Sequence, residues 1–550
     1  MNKVEAIKKE REGLDIIHDI RKFAKEGWES ISEEDLQRLK WYGLFLRNPT
    51  PGFFMLRVRI PQGQAHSRQI AALAQISRSF GNGVIDITTR QQIQLRHLRI
   101  DHVPYVFELM DEVGLTSMQT GMDNVRNIMG CPVAGLHPRE FVDPSPVIGE
   151  LNRLIVGNRE FTNLPRKFNI AITGCPDNCI HSETQDLALV PATRREGEED
   201  VTGFNILAGG KLGSGGYRIA SPLDVFVRPG EAVEVCAEIV RMFRDHGNRE
   251  TRTQNRLAFL LDEWGEERFR SELETRLARP LARGGEDLRG LEKSEHIGIY
   301  RQSQPTMNYV GLKVVVGRIE AEKLEGLAGL AERYGNGEMR LSPAQCLILP
   351  NISDPKLGDL LEEPLLKEFV YHPSSIMKGL VSCVGIDYCH LATIETKRRA
   401  REVADQLEQS LGSTAPLTMH WSGCPAGCGN HLVADIGLIG KRARVGGQVV
   451  DAVDVFMGGR AGKFPRQALK VLENVPCDLL PRVLEGIIPY HAREKMHLIK
   501  GLKRKSSGDQ KEVSGSSGQK SARVVPEEDQ PRAETGSENL SAGRNTYVSR

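Results

Sequence analysis

Strand-like residues 53–60, a helical spacing of Ile70, Leu73, Ala74 and Ile76 within residues 66–80, and a strand-like run over residues 84–95 predict a strand, a helix and a second strand. The same order returns over residues 309–350. There Tyr334, Gly335, Asn336 and Gly337 match Phe80, Gly81, Asn82 and Gly83 at an offset of 254, each set placing a turn between helix and strand. Gly174-Cys175-Pro176-Asp177-Asn178-Cys179 pairs with Gly423-Cys424-Pro425-Ala426-Gly427-Cys428 at an offset of 249. Asp186-Leu187-Ala188-Leu189 pairs with Asp435-Ile436-Gly437-Leu438, and Gly209-Gly210-Lys211 with Gly458-Gly459-Arg460, at that same offset; Cys131 pairs with Cys383 at 252. The pattern therefore predicts a mixed α+β chain of two half-molecules of about 250 residues, related by a pseudo-twofold and sharing a site between them.

Composition narrows the class without changing that picture. The 550 residues are 39% hydrophobic and 26% charged, ordinary for a globular protein. No apolar run approaches the ~20 residues of a membrane span. A net charge of +1 argues against general nucleic-acid or membrane-surface binding, so neither partner is expected. The charged first dozen residues lack the apolar core of a secretory signal, and a cytoplasmic protein with reduced thiols is expected. Residues 503–550, rich in Ser, Gly, Glu, Gln and Lys, are expected to be disordered.

The chemistry is carried by cysteine. Cys383 and Cys389 form a C-x5-C pair and Cys424 and Cys428 a C-x3-C pair, both among glycines that let backbone approach closely and donate N–H groups to sulfur. Four thiolates on two turns suit an iron-sulfur cube. Structural zinc uses the same residues but favours two to four intervening positions, so it is the weaker alternative. In the first half His137 falls where the second has Cys389, leaving Cys131, Cys175 and Cys179 as buried remnants of duplication.

The first half keeps the cations instead. Arg90 and Arg96 stand opposite Ala344 and Pro350, Lys167 opposite Pro416, and Arg126 opposite Lys378. With Arg166 they lie on turns and strand ends, as an anion site requires, although any one of them alone could be a solvated charge. No G-x-G-x-x-G follows a strand, and residues 458–464 lack the spacing of a phosphate loop. Electrons must then come from another protein, for which Lys397, Arg398 and Arg399 are docking candidates, a solvated helix end being the equal alternative.

Thr88-Thr89-Arg90-Gln91, residues 123–127 (Asp-Asn-Val-Arg-Asn), residues 164–169 (Leu-Pro-Arg-Lys-Phe-Asn) and the two cysteine pairs closely resemble those of the siroheme nitrite and sulfite reductases, most of all the ferredoxin-dependent assimilatory nitrite reductases. The resemblance covers residues 26–490. It implies an N-terminal helical segment (1–45), ferredoxin-like half-domains (46–118 and 296–360), a siroheme and substrate domain (119–290) and a 4Fe-4S and siroheme domain (361–490). It also implies that Cys383, Cys389, Cys424 and Cys428 hold a 4Fe-4S cluster, with Cys428 shared with siroheme iron. Arg90, Arg96, Arg126, Arg166 and Lys167 would meet the eight siroheme carboxylates, and Arg90, Arg126, Lys167 and Asn169 the substrate. The implied reaction is the six-electron reduction of nitrite to ammonium by a monomer fed by reduced ferredoxin or flavodoxin. Asn169 stands where sulfite reductases of the family commonly carry lysine, which favours nitrite over sulfite. A noncatalytic iron-sulfur electron carrier would need the cysteines without the basic pocket.

Overall fold

The computed structural model describes residues 2–213, 215–291 and 293–512. Short helices Lys3–Glu10, Ile17–Glu26 and Glu33–Arg38 open the chain. The first is capped by the Asn2 side chain, which accepts from the Val4 and Glu5 amides. The second turns Ile20 and Phe23 into the core.

Two five-stranded sheets follow the repeated strand, helix, strand pattern, and each borrows a strand from the other half. In the first, Leu44–Arg47, Thr50–Val58, Ile93–Leu98 and Val84–Ile87 are completed at the edge by Arg318–Glu320 of the second half. In the second, Gly298–Arg301, Met307–Leu312, Leu347–Ser353 and Glu338–Leu341 are completed by Gln64–His66 of the first. Ile319 pairs with Ile85 and Ala65 with Met339, positions related by the repeat offset. Helices Ser67–Phe80 and Ala321–Tyr334 pack together, and their apolar faces join one core that spans both halves.

The exchange needs a tight crossing before each borrowed strand. Gly63 and Gly317 both have positive φ (+72° and +68°), and a Cβ there would meet Leu341 O at 2.4 Å or Ile87 O at 2.7 Å. Two buried glutamines lock the crossing. Gln91 donates from Nε2 to the carbonyls of Gln62, Gly130 and Leu341, while Gln345 donates to those of Ile87 and Ser382. Their Oε1 atoms accept from Gly130 and Ser382 at 3.1 and 2.9 Å. Gln91→Ala strands these buried backbone groups, so a loss of about 2–4 kcal/mol is expected in chemical denaturation.

The two remaining sheets repeat one topology. Met129–Gly130, Ile170–Ile172 and Leu187–Glu196 run parallel, then Glu199–Ala208 and Ser221–Val227 run antiparallel. Leu380–Ser382, Met419–Ser422, Ile436–Val445, Gln448–Met457 and Leu469–Pro476 do the same. One carboxylate fixes the same bend in each: Asp186 accepts from the Asn169 amide and Asp435 from that of Thr418, both at 2.8 Å.

Two expectations are corrected. Residues 84–95 are not one strand: Thr88 Oγ1 accepts from the Arg90 and Gln92 amides, and Gln91 takes a positive φ of 55°, making a turn with Arg90 at its tip. The last helix, Leu480–Glu512, runs past Lys503, where disorder was expected to begin; residues 513–550 lie outside those described. No helix among the described residues is long and apolar enough to cross a membrane.

Candidate functional site

The cysteine pairs sit at the ends of adjacent parallel strands. Cys383 follows Leu380–Ser382 and its amide donates to Trp421 O; Gly423 and Cys424 follow Met419–Ser422. The Gly423 amide donates to Cys383 Sγ at 3.1 Å, the amide-to-sulfur contact that the glycine-rich sequence predicts. Thr396 Oγ1 donates to Cys383 O, and the Thr393 amide to Gly423 O, tying the C-x5-C loop to the C-x3-C loop. No three of these four sulfurs lie within 4.8 Å of one another. Two loops thus bring four cysteines to one end of the sheet, the number of thiolates that a 4Fe-4S cluster takes. Cys383, Cys389 and Cys424 are half-buried and Cys428 is exposed.

The first half meets the cluster loops at Cys428. Thr89 Oγ1 donates to Cys428 O at 3.0 Å, which sets the Arg90 turn beside this cysteine. Gly213 is packed so closely on Ala426 that a Cβ would lie 2.5 Å from its carbonyl, and Tyr217 donates its hydroxyl to Pro425 O. A cleft here is lined by Thr89, Arg90, Asn169, Thr184, Gln185, Leu212 and Asn430. Two of the candidate substrate residues, Arg90 and Asn169, thus share one wall system with Asn430 from the second half.

The backbone around the cleft is fixed by buried polar side chains. Arg59, 2% exposed, donates to the carbonyls of Met118, Gln119, Val125 and Arg126, clamping the loop that carries Arg126. Asn127 donates to Arg90 O at 3.0 Å and holds both backbone groups of Ile60. The Arg126 amide donates to Phe168 O and that of Phe168 to Asn124 O, so the stretches bearing Arg126 and Lys167 are zipped together. Asn169 is 3% exposed; its backbone N–H donates to Asp186, and its side-chain Oδ1 has no hydrogen-bond partner.

Charge at this site is strongly unbalanced. Arg90, Arg126 and Lys167 have no carboxylate within ion-pair reach among the described residues. Burial, and then the neighbouring cations Arg90 and Arg256, hold Lys167 well below the usual lysine range. Burial, then Arg57 and Arg90, do the same to Arg126, whose Nη1 and Nη2 donate to the carbonyls of Thr120 and Met122 and whose Nε has no partner. Three further cations escaped sequence reasoning. Arg57 is lowered to about 9 by burial, Arg47 and Arg90; Lys40 to about 8 by burial, Arg47 and Arg252; and Arg47 feels both Cys389 and Cys428. None of these three has a carboxylate partner among the described residues either. A half-buried group of cations without carboxylate partners is costly unless an anion completes it. A macrocycle bearing several carboxylates fits that requirement.

Other candidates are committed elsewhere. Arg96 donates from Nε and Nη2 to Asp86, 2.9 and 2.7 Å away, and Arg166 lies 3.8 Å from Asp123. Each carboxylate serves several cations: Asp86 also meets Arg318 and Lys397, and Asp123 also meets Lys8 and Arg252. Both clusters therefore keep an excess of positive charge beside the site. The docking candidates are corrected. Lys397 is 3% exposed and bonded to Asp86 and Val316 O, and Arg399 is paired with Asp451 at 2.7 Å. Only Arg398 of the three faces solvent.

Comparison with known proteins agrees with this geometry. The sequence matches the nitrite and sulphite reductase 4Fe-4S domain over residues 121–281 and the nitrite/sulfite reductase ferredoxin-like half domain over residues 47–113 and again over 300–366. It is 45% identical over 495 residues to a ferredoxin–nitrite reductase of Synechococcus elongatus, covering 89% of this chain and 96% of that protein. It is 36% identical over 525 residues to an assimilatory ferredoxin-dependent nitrite reductase of Haloferax mediterranei, covering 90% and 89%. The structure of the Mycobacterium tuberculosis NirA protein superposes with a TM-score of 0.83 at 31% identity, over 88% of this chain and 92% of that one.

Proposed function

The chain belongs to the nitrite and sulphite reductase family, and on that premise we propose that it is an assimilatory ferredoxin–nitrite reductase, converting nitrite to ammonium with six electrons. The observation that carries the reading is the meeting, at Cys428, of a cluster-forming cysteine set from one half with unpaired cations from the other. Its cofactors are siroheme and a 4Fe-4S cluster, which supply the electrons and an iron centre for the bound anion. Cys383, Cys389, Cys424 and Cys428 would hold the cluster, and Arg47, Arg57, Arg90, Arg126 and Lys167 the carboxylates, with Arg96 and Arg166 adding field from their paired positions.

The residues have separable tasks. Arg90 and Arg126 draw the small anion into the cleft and hold its oxygens, since neither guanidinium is spent on a protein carboxylate. Lys167 Nζ donates protons to the departing oxygens, which leave as water. Its lowered pKa makes that transfer easier than from an ordinary lysine. Asn169 adds a hydrogen-bonding group without charge, which suits a monoanion. Electrons enter from reduced ferredoxin, an acidic protein or its flavodoxin equivalent. On this reading the chain works as a monomer in the cytoplasm, where thiols stay reduced.

The test is turnover of the cofactor-loaded enzyme with reduced ferredoxin on nitrite and on sulfite, counting ammonium and sulfide. A higher kcat/KM for sulfite would overturn the substrate assignment and leave the family unchanged. Asn169→Lys adds a cation and is expected to move the preference toward sulfite by about tenfold or more.

A further inference from the structure

The cysteines that the first half retained do not lie apart in its core. Cys131 and Cys179 sulfurs and a ring nitrogen of His296 all lie within 4.8 Å of one another, the one such group of three among the described residues. Cys175 Sγ stands 3.4 Å from Cys131 Sγ. All four side chains are at most 2% exposed. His296 engages Tyr309 through Nδ1 at 3.3 Å, and its buried Nε2 has no hydrogen-bond partner. That unpartnered ring nitrogen leaves a lone pair free for a metal.

We propose that Cys131, Cys175, Cys179 and His296 bind a single zinc ion, a structural site separate from the cluster cysteines of the second half. The spacing suits a mononuclear ion: ligand atoms of Cys131, Cys179 and His296 lie within 4.8 Å of one another and Cys175 Sγ adds a fourth donor 3.4 Å from Cys131 Sγ, close to the ~3.8 Å edge of a tetrahedral zinc site. Three thiols and an imidazole form a closed, soft donor set that favours zinc over hard cations. Tyr309 provides the outer hydrogen bond that orients a ligating histidine.

The position gives the ion a task. Cys131 follows Met129–Gly130 and Cys175 and Cys179 follow Ile170–Ile172, both in the first half's sheet, while His296 lies just before Gly298–Arg301 of the second half's. A zinc bridging them would pin the crossover segment between the repeats. Because the site is fully buried, the metal would be taken up during folding and not exchange readily afterwards. Duplication would then have left two metal sites from one ancestral pattern, a cluster in one copy and a single ion in the other.

The full cofactor-loaded chain, produced with zinc in the medium and stripped of loose metal with EDTA, is assayed for zinc by mass spectrometry. About one zinc per chain is expected, released by a thiol-specific mercurial and lost in Cys179→Ser and His296→Gln. Zinc-edge X-ray absorption on the unmodified protein should show a shell of sulfurs with one nitrogen, a readout that needs no variant to fold. Zinc-free wild-type protein with Cys131, Cys175 and Cys179 all titratable as thiols, a Cys131–Cys175 disulfide, or zinc with only oxygen and nitrogen neighbours would each overturn the proposal. The result does not depend on which anion the enzyme reduces.

Discussion

Replacing Cys428 with serine is expected to lower nitrite turnover by at least ~10³-fold, about 4 kcal/mol of barrier, while the chain stays folded. The expectation comes from where this thiol sits. Cys383 is half-buried and takes the Gly423 amide, and burial pushes the Cys424 thiol up to about 12, so both depend on a bound metal to ionise. Cys428 alone of the four is exposed, on the side where Thr89 holds its carbonyl and where its charge acts on Arg90 and Lys167. On the proposed assignment it is the sulfur that would serve the cluster and the cleft together. Folding should survive because the side chain packs against little, which circular dichroism would verify. Serine offers a poor ligand to iron, so the variant should also lose the magnetic coupling between cluster and heme. A Cys428→Ser enzyme with unimpaired turnover and intact coupling would sink the assignment.

The duplication was legible because its signals are chemical and ordered. Glycine turns, Asp186 with Asp435, and the cysteine pairs recur at nearly constant offsets, and the structure places them in equivalent sheets. The exchange of edge strands was not legible. Gln64–His66 and Arg318–Glu320 are three residues each, too short for a period to emerge, and their partners lie in the other half of the chain. The Arg90 turn was hidden by β-branched residues at 87–89, which carry strand propensity whether or not the strand continues.

Charge was harder to place than shape. Arg57 lies inside a strand, where an arginine usually faces solvent, and only the fold shows it half-buried with no carboxylate partner among the described residues. Lys397 shows the opposite failure. It opens the basic run Lys397-Arg398-Arg399, yet it shares a helical stripe with Ala400, Ala404 and Leu407, all buried. That spacing was visible in the sequence and would have assigned it to the core, where Asp86 receives it. Aspartates explain both outcomes. Asp86 and Asp123 gather basic side chains from distant segments, and only three-dimensional proximity separates a cation so engaged from one left for a ligand.

Lys167 is where that distinction has its largest consequence for the reaction. Lys167→Met is expected to lower kcat by about 10²–10⁴-fold, the range for losing a positioned proton donor. Charge alone cannot replace it: Lys167→Arg keeps a cation for binding, but a guanidinium does not release its proton near neutral pH, so kcat should fall much more than KM rises. The pH profile separates the two roles. The donor must be protonated, and burial with Arg90 and Arg256 nearby lowers its pKa, so activity is present below that pKa and is lost as pH rises through it. The alkaline limb of kcat should therefore fall below the ordinary lysine range in the wild type. In Lys167→Met the small residual rate should lack that limb, because the titrating group is gone. A limb that persists at the same pH in this variant would assign the proton transfer to another group and leave Lys167 as a binding residue.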